Sequence, residues 1–416
     1  MSKGILSTLV FLLAFCSYCS ALELEYAGSL HYQSNCYNIN QDSYLNPHND
    51  ILRLPSSDSM LQMKLDLYSR FGESLGLCLK DTASYALGED ENKLKNVLDE
   101  LYLELSPSYF LFFTVGKQNV TEGVGYAWNP TDFLAGLEEI DQANDTREKR
   151  EEREGVICVR GEYFLPHFTL TGVLAPKIES WGQGADARGL VKVYALMDNL
   201  DFSLIAYAQE KKRPKLGLNL STTIGESLEI HGEASLQKGS YRYYLSEVAP
   251  GYYEFIQKKK ENEELYPKVL VGGQYTFSDN ANFVLEYYHN QEGYSSSEWE
   301  DYLEYLKFCG ERYKDESLYR SYLLLGNAYF NLASLRQNYL FLRFSKPNIL
   351  DLFEVSSNNI YNLDDASLLM NVKIEYRGME DLSLYLAGNL FLGYGDSEFG
   401  MFYQNCTFSA GAKYFF

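Results

Sequence analysis

The chain offers little of the side-chain chemistry that catalysis or metal binding needs. Its five histidines, His31, His48, His167, His231 and His289, lie far apart, and none falls in a motif pairing a nucleophile with its base. No Cys-x-x-Cys-His, phosphate loop or zinc spacing occurs. No enzyme, metal or cofactor is therefore expected. What the chain does carry is ionised side chains at alternate positions of extended stretches: Lys64, Asp66 and Arg70 in one, then Glu104, Arg160 and Glu162, Glu286, Arg343, and Lys373 with Glu375. Charges in that pattern either support strand register as cross-strand pairs, at about 0.2–1 kcal/mol each, or select permeant ions where they gather at a constriction.

The stretches that carry these charges have one polar and one apolar face. Leu61, Met63, Leu65, Leu67 and Phe71 alternate with Gln62, Lys64, Asp66, Tyr68 and Arg70, which is the two-residue period of a strand. Comparable stretches recur down the chain, joined alternately by tight polar turns, such as Gly72-Glu-Ser74 and Asp198-Asn199, and by long polar segments. The last of them runs Cys406–Phe416, with Phe408, Ala410, Ala412, Tyr414 and Phe416 on one face and Ser409, Gly411 and Lys413 on the other. An exposed aromatic edge strand is an aggregation template; a strand that closes a barrel has no such edge. The reading predicts an all-β transmembrane antiparallel barrel of 18 strands, with 16 to 18 as the range, short periplasmic turns and long extracellular loops. It counts Tyr322–Leu332 as one strand and Gln337–Ser345 as the next, and Ile349–Ile360 shows only weak patterning. Between strands, Glu298–Tyr319 could form a short helix with Trp299, Tyr302, Leu306 and Cys309 on one side.

Composition agrees. Tyr 36 and Phe 24 against Trp 3, with a mean hydropathy of −0.29, suits a wall in which only alternate residues meet lipid. A formal net charge of −21 argues against a nucleic-acid partner. Residues 1–21 read as a secretory signal, with Lys3 before an apolar core at Ile5–Phe15 and small residues up to Ala21, leaving 22–416 as the barrel domain. Cys36, Cys78, Cys158, Cys309 and Cys406 are odd in number and widely spaced, so no disulfide framework is expected.

Of the long segments, Asn119–Glu154 is the best source of a constriction inside the barrel, with Trp128, Asp132 and Arg153 as its candidate residues. Trp128 there could stack on a sugar or aromatic solute, or anchor the wall at a membrane interface. Basic clusters at Lys211–Arg213 and Lys258–Lys260 lie in outer loops, where they could meet lipopolysaccharide phosphates.

Gly116-Lys-Gln118, Gly125-Tyr-Ala-Trp-Asn-Pro-Thr-Asp132, Arg153-Glu-Gly155, Glu286–Tyr294, Asn338–Arg343 and Asp396–Gly400 resemble the alginate-export-type and related porin-like bacterial outer-membrane barrel families. The strand ending at Phe416 is similar to the C-terminal strand through which such barrels engage the barrel-assembly machinery. The resemblance implies an outer-membrane channel, a porin or an export pore, passing small hydrophilic solutes or a polymer, surrounded by outer-membrane lipid and lipopolysaccharide. The alginate-exporting members imply a strongly basic lumen, from which this mixed-sign inward face departs. The alternative is a barrel that sheathes a periplasmic or electron-transfer protein.

Overall fold

The computed structural model describes residues 22–87, 93–134, 153–178, 186–257 and 263–416. The strands in chain order are β1 (Leu22–Ile39), β2 (Ser57–Phe71), β3 (Leu75–Leu87), β4 (Lys93–Ser108), β5 (Leu111–Gln118), β6 (Val156–Phe164), β7 (Phe168–Ala175), β8 (Arg188–Met197), β9 (Leu200–Gln209) and β10 (Lys215–Ile224). They continue with β11 (Leu228–Lys238), a separate hairpin of β12 (Tyr244–Ala249) and β13 (Tyr252–Ile256), then β14 (Leu265–Thr276), β15 (Asn282–Asn290), β16 (Asn338–Ile349), β17 (Phe353–Asn362), β18 (Ser367–Tyr376), β19 (Leu382–Leu392) and β20 (Gln404–Phe415). Leaving out the β12–β13 hairpin, each strand pairs antiparallel with its sequence neighbours, and β1 pairs with β20, so the 18-stranded sheet closes on itself.

The alternation read from the sequence sets the two faces. Leu61 and Met63 of β2, Leu101, Leu103 and Leu105 of β4, Val191 and Val193 of β8, Leu384 and Leu386 of β19, and Phe408 and Tyr414 of β20 are all exposed on the outside. Inward positions carry polar and charged residues on β2, β4 and β6, but apolar ones such as Leu190, Ile205, Leu270, Val284 and Phe341 where residues 119–134 pack against the wall. Closure is completed where the backbones of Gly28 and Phe416 exchange hydrogen bonds of 2.9 and 3.0 Å. Gly28 leaves the space that the Phe416 ring fills: a Cβ at position 28 would come within 2.4 Å of that ring.

The expected strand Tyr322–Leu332 is instead helical. It falls in α2 (Ser317–Tyr329), which packs on α1 (Ser296–Arg312). Its apolar run does not alternate; Leu323 and Gly326, three residues apart, are its buried positions, and Gly326 lets Leu306 of α1 approach closely. The strand missing from the expectation is β17, whose inward Ser356 and Asn358 and outward Ser357 and Asn359 leave both faces polar in mid-strand. The two errors cancel in the total. α1 covers the first part of the helix expected over Glu298–Tyr319 and ends at Arg312: Ser295 and Glu298 form a capping box, and Trp299, Tyr302, Leu306 and Cys309 are buried.

The long loops are less polar in effect than their composition suggests. Loop residues Leu45 and Ile51, Tyr244 and Phe255 of the hairpin, Tyr294, Met401, and the buried faces of α1 and α2 form one apolar cluster at the long-loop end. This cap is tied together by Tyr313 Oη donating to Asp50 at 2.7 Å, Trp299 Nε1 to the Asp396 carbonyl at 3.0 Å, and Ser43 Oγ to the Met401 carbonyl at 2.6 Å. Buried Glu398 links it to the barrel, accepting from Tyr339 Oη at 2.8 Å and Asn362 Nδ2 at 2.7 Å. All five cysteines of the described chain are free thiols, and Cys78 and Cys158 are buried on strands.

Candidate functional site inside the barrel

A segment leaving β5, residues 119–134, turns into the barrel and lies on the inward face. Several of its backbone N–H groups find no acceptor within the segment and require partners, and the wall supplies them as carboxylates. Glu233 of β11 accepts from Val124 N at 2.9 Å, Gly125 N at 3.3 Å, and both the amide and hydroxyl of Thr131 at 2.6 and 2.8 Å. Glu286 of β15 accepts from Tyr126 N at 2.6 Å and Ala127 N at 3.0 Å, and its carboxylate meets His231 Nε2 at 2.9 Å. Asn219 of β10 donates to the Glu122 carbonyl at 2.6 Å, and Lys192 of β8 pairs with the Glu122 carboxylate at 2.5 Å.

Within the segment, Asp132 accepts from Glu122 N and Gly123 N, both at 2.6 Å, and pairs with Arg153 at 2.7 Å. That brace closes the segment into a rigid loop. Gly125 is obligatory in it, since a Cβ there would meet the Trp128 carbonyl oxygen at 2.2 Å. Trp128 is buried, stacked on Tyr288 with centroids 4.8 Å apart, and its Nε1 donates to the Ala333 carbonyl at 3.0 Å. It is a wall anchor, packed away from any solute. Tyr126 instead projects between Arg343, whose guanidinium is 5.9 Å from the ring centroid, and Gln274, which its hydroxyl meets.

The inward charges singled out in the sequence divide into two groups. Glu286 is fully buried under the segment and holds it in place. On β2, β4, β6 and β18, by contrast, Lys64, Asp66, Arg70, Glu104, Arg160, Glu162 and Lys373 retain exposure to the interior, while Glu375 is nearly covered. Several are matched along the wall: Arg160 with Glu162 at 2.8 Å, Lys373 with Glu375 at 3.1 Å, and Glu104 with the Tyr68 hydroxyl at 2.9 Å. Nothing in the residue order marks Glu233, His231 and Asn219 as the segment's partners, because which strands the segment meets is set by barrel closure. Residues 135–152 of the constriction candidate, Lys258–Lys260 and the secretory signal at 1–21 lie outside the described residues.

No protein-family model and no curated protein matches the chain. Solved structures do match. The crystal structure of Pseudomonas aeruginosa OccK5 (OpdH) superposes with a TM-score of 0.52 at 9% identity, covering 94% of this chain and 98% of that one. The chain has a porin-like fold. A triple mutant of the Rhodopseudomonas blastica porin aligns over 95% of this chain and 100% of that one, at 8% identity and a TM-score of 0.46. At such identities the likeness concerns architecture alone. What sets this porin-like barrel's interior is its own segment 119–134 and the carboxylates that hold it.

Proposed function

We propose that this protein is a passive outer-membrane channel for small hydrophilic solutes. The observation that carries the reading is a closed 18-stranded wall, apolar outside and with charged side chains exposed to the interior on β2, β4 and β6, because a barrel of that size is wider than its side chains can fill and holds water. The apolar outer belt then meets lipid. Segment 119–134 makes most of its polar contacts with β8, β10, β11, β14 and β15, so the water path runs off-centre, against the opposite wall. In this reading Lys64, Asp66, Arg70, Glu104, Arg160 and Glu162 line the path on one side and Lys373 with Glu375 on another. Tyr126 and Arg343 form the segment's edge of the constriction, which Asp132 and Arg153 keep rigid. The mixed signs of these charges do not suit a polyanion, so small solutes are the better cargo than an exported polymer such as alginate. The strand ending at Phe416 serves as the assembly machinery's handle, and outer-loop lysines meet lipopolysaccharide.

Reconstitution in a planar bilayer tests this. Ohmic, stepwise conductance from the purified protein supports the channel. A silent barrel that conducts or acts only with a co-purified periplasmic protein sinks it in favour of the sheath.

A further inference from the structure

Near the long-loop end, two inward cations on β8 and β14 are paired with carboxylates. Lys192 pairs with Glu122 at 2.5 Å and Lys268 with Glu292 at 2.7 Å. Two are not. Among the described residues neither Arg188, at the start of β8, nor Lys215, at the start of β10, pairs with a carboxylate, and the Arg188 Nε is buried without a hydrogen-bond partner. The register brings them together. Lys215 lies directly opposite Tyr207 of β9, and Arg188 opposite Gln209, two residues further along that strand. Tyr207 therefore stands between them, buried, with its hydroxyl donating to Gln209 at 2.9 Å. Phe133 of the internal segment covers the group, 5.4 Å from the Tyr207 ring and 5.7 Å from the Lys215 ammonium. The neighbouring acids Asp186 and Glu292 are already engaged by Lys211 and Lys268.

We infer that Arg188 and Lys215 form an anion subsite for a small solute bearing a phosphate or carboxylate group, placed above the constriction on the long-loop side. Two cations with no carboxylate of their own among the described residues attract an anion more strongly in a half-buried setting than they would in bulk water, since the Glu292 charge near Lys215 is held by Lys268. The guanidinium supplies a planar fork and the ammonium a point charge, the two complementary ways of holding an oxyanion. The Phe133 and Tyr207 rings limit access to water from either side. The site follows from the fold; its consequence, anion recruitment into the lumen, rests on the channel reading. Binding there is weak enough for release, as conduction requires.

The test uses the full-length protein in planar bilayers in potassium chloride, with inorganic phosphate or acetate added on the long-loop side. Saturable block of the chloride current by one or both anions is expected, and the responding anion names the headgroup. Arg188→Gln and Lys215→Gln each weaken the block at least tenfold, whereas Lys413→Gln, which removes an inward lysine on β20, leaves it unchanged. Equal block in all variants, or none in the unaltered channel, overturns the subsite. If no conductance appears, the channel reading fails, and the subsite is then decided in detergent by phosphorus NMR. Phosphate line broadening by the unaltered protein and by Lys413→Gln, but not by the Arg188→Gln/Lys215→Gln double variant, upholds it; equal broadening sinks it. The heat-dependent gel shift of each variant establishes that it has folded.

Discussion

The Glu233 carboxylate holds Thr131 twice, through its amide at 2.6 Å and its hydroxyl at 2.8 Å. A strand residue on β11 thereby fixes a loop that departed from β5. Glu286 repeats the device on Tyr126 and Ala127. Removing either acceptor leaves buried N–H groups unpaired, at about 1–3 kcal/mol each. Glu233→Ala and Glu286→Ala are expected to lower the temperature of the heat-dependent gel shift and to raise single-channel conductance, because the segment loosens. Unchanged conductance in a folded Glu286→Ala channel would count against the segment as the constriction.

Trp128 anchors the same segment by packing instead of charge. Trp128→Ala removes its stack on Tyr288, the contact with Tyr339 and the hydrogen bond to Ala333, a loss of about 3–5 kcal/mol for a buried aromatic. Noisier channels are expected, with the mean conductance closer to that of Glu286→Ala than to that of the unaltered protein. Current recordings at fixed voltage read this directly.

The seam between β1 and β20 depends on a fit between Gly28 and Phe416. Gly28→Leu places side-chain atoms where the Phe416 ring lies, so barrel closure weakens and the fraction resisting heat in gels falls. Phe416→Ala in the same chain vacates that space. The double variant is expected to be more heat-resistant than Gly28→Leu alone, a non-additivity that only contacting residues produce.

The cap carries two carboxylates whose pH responses run in opposite directions. Burial pushes Glu398 up to about 7, with nearby Asp365 adding to the effect and the Tyr339 hydroxyl opposing it. Its proton is held more tightly in the folded state, so the stability it contributes is fully present below about 4.5 and is lost as pH rises through about 7. Burial also pushes Glu292 upward, but Lys268 and the Ser240 hydroxyl outweigh it and hold this carboxyl at about 2. Its contribution is present above about 4.5 and is lost as pH falls towards 2. Proteolysis of the cap across pH checks both. Glu398→Gln should abolish the loosening between pH 5 and 8, and Glu292→Gln the loosening in acid.

Much of this was legible in the chain. Period-two alternation depends only on the geometry of an extended backbone, so the outward and inward faces of β2, β4 and β20 follow directly from residue order, as does the barrel, whereas the total of 18 rests on two misplaced strands that offset each other. The alternation failed where its physical basis fails. β17 has polar residues on both faces in mid-strand and so shows no alternation, and the apolar run at Tyr322–Leu332 is mostly helical because it packs on α1.

Residue order alone determined a closed wall with a greasy outer side and the place of most of its strands. Tertiary structure decided what the inward charges do. Glu286 and Asp66 occupy equivalent positions in their strands' alternation, yet one is sealed beneath residues 119–134 and the other faces the interior. The difference lies in where a loop from β5 comes to rest, as far as β15 along the wall, and in the unpaired backbone groups it brings. Contacts of that range leave no local pattern, because they depend on curvature and closure that no single strand encodes.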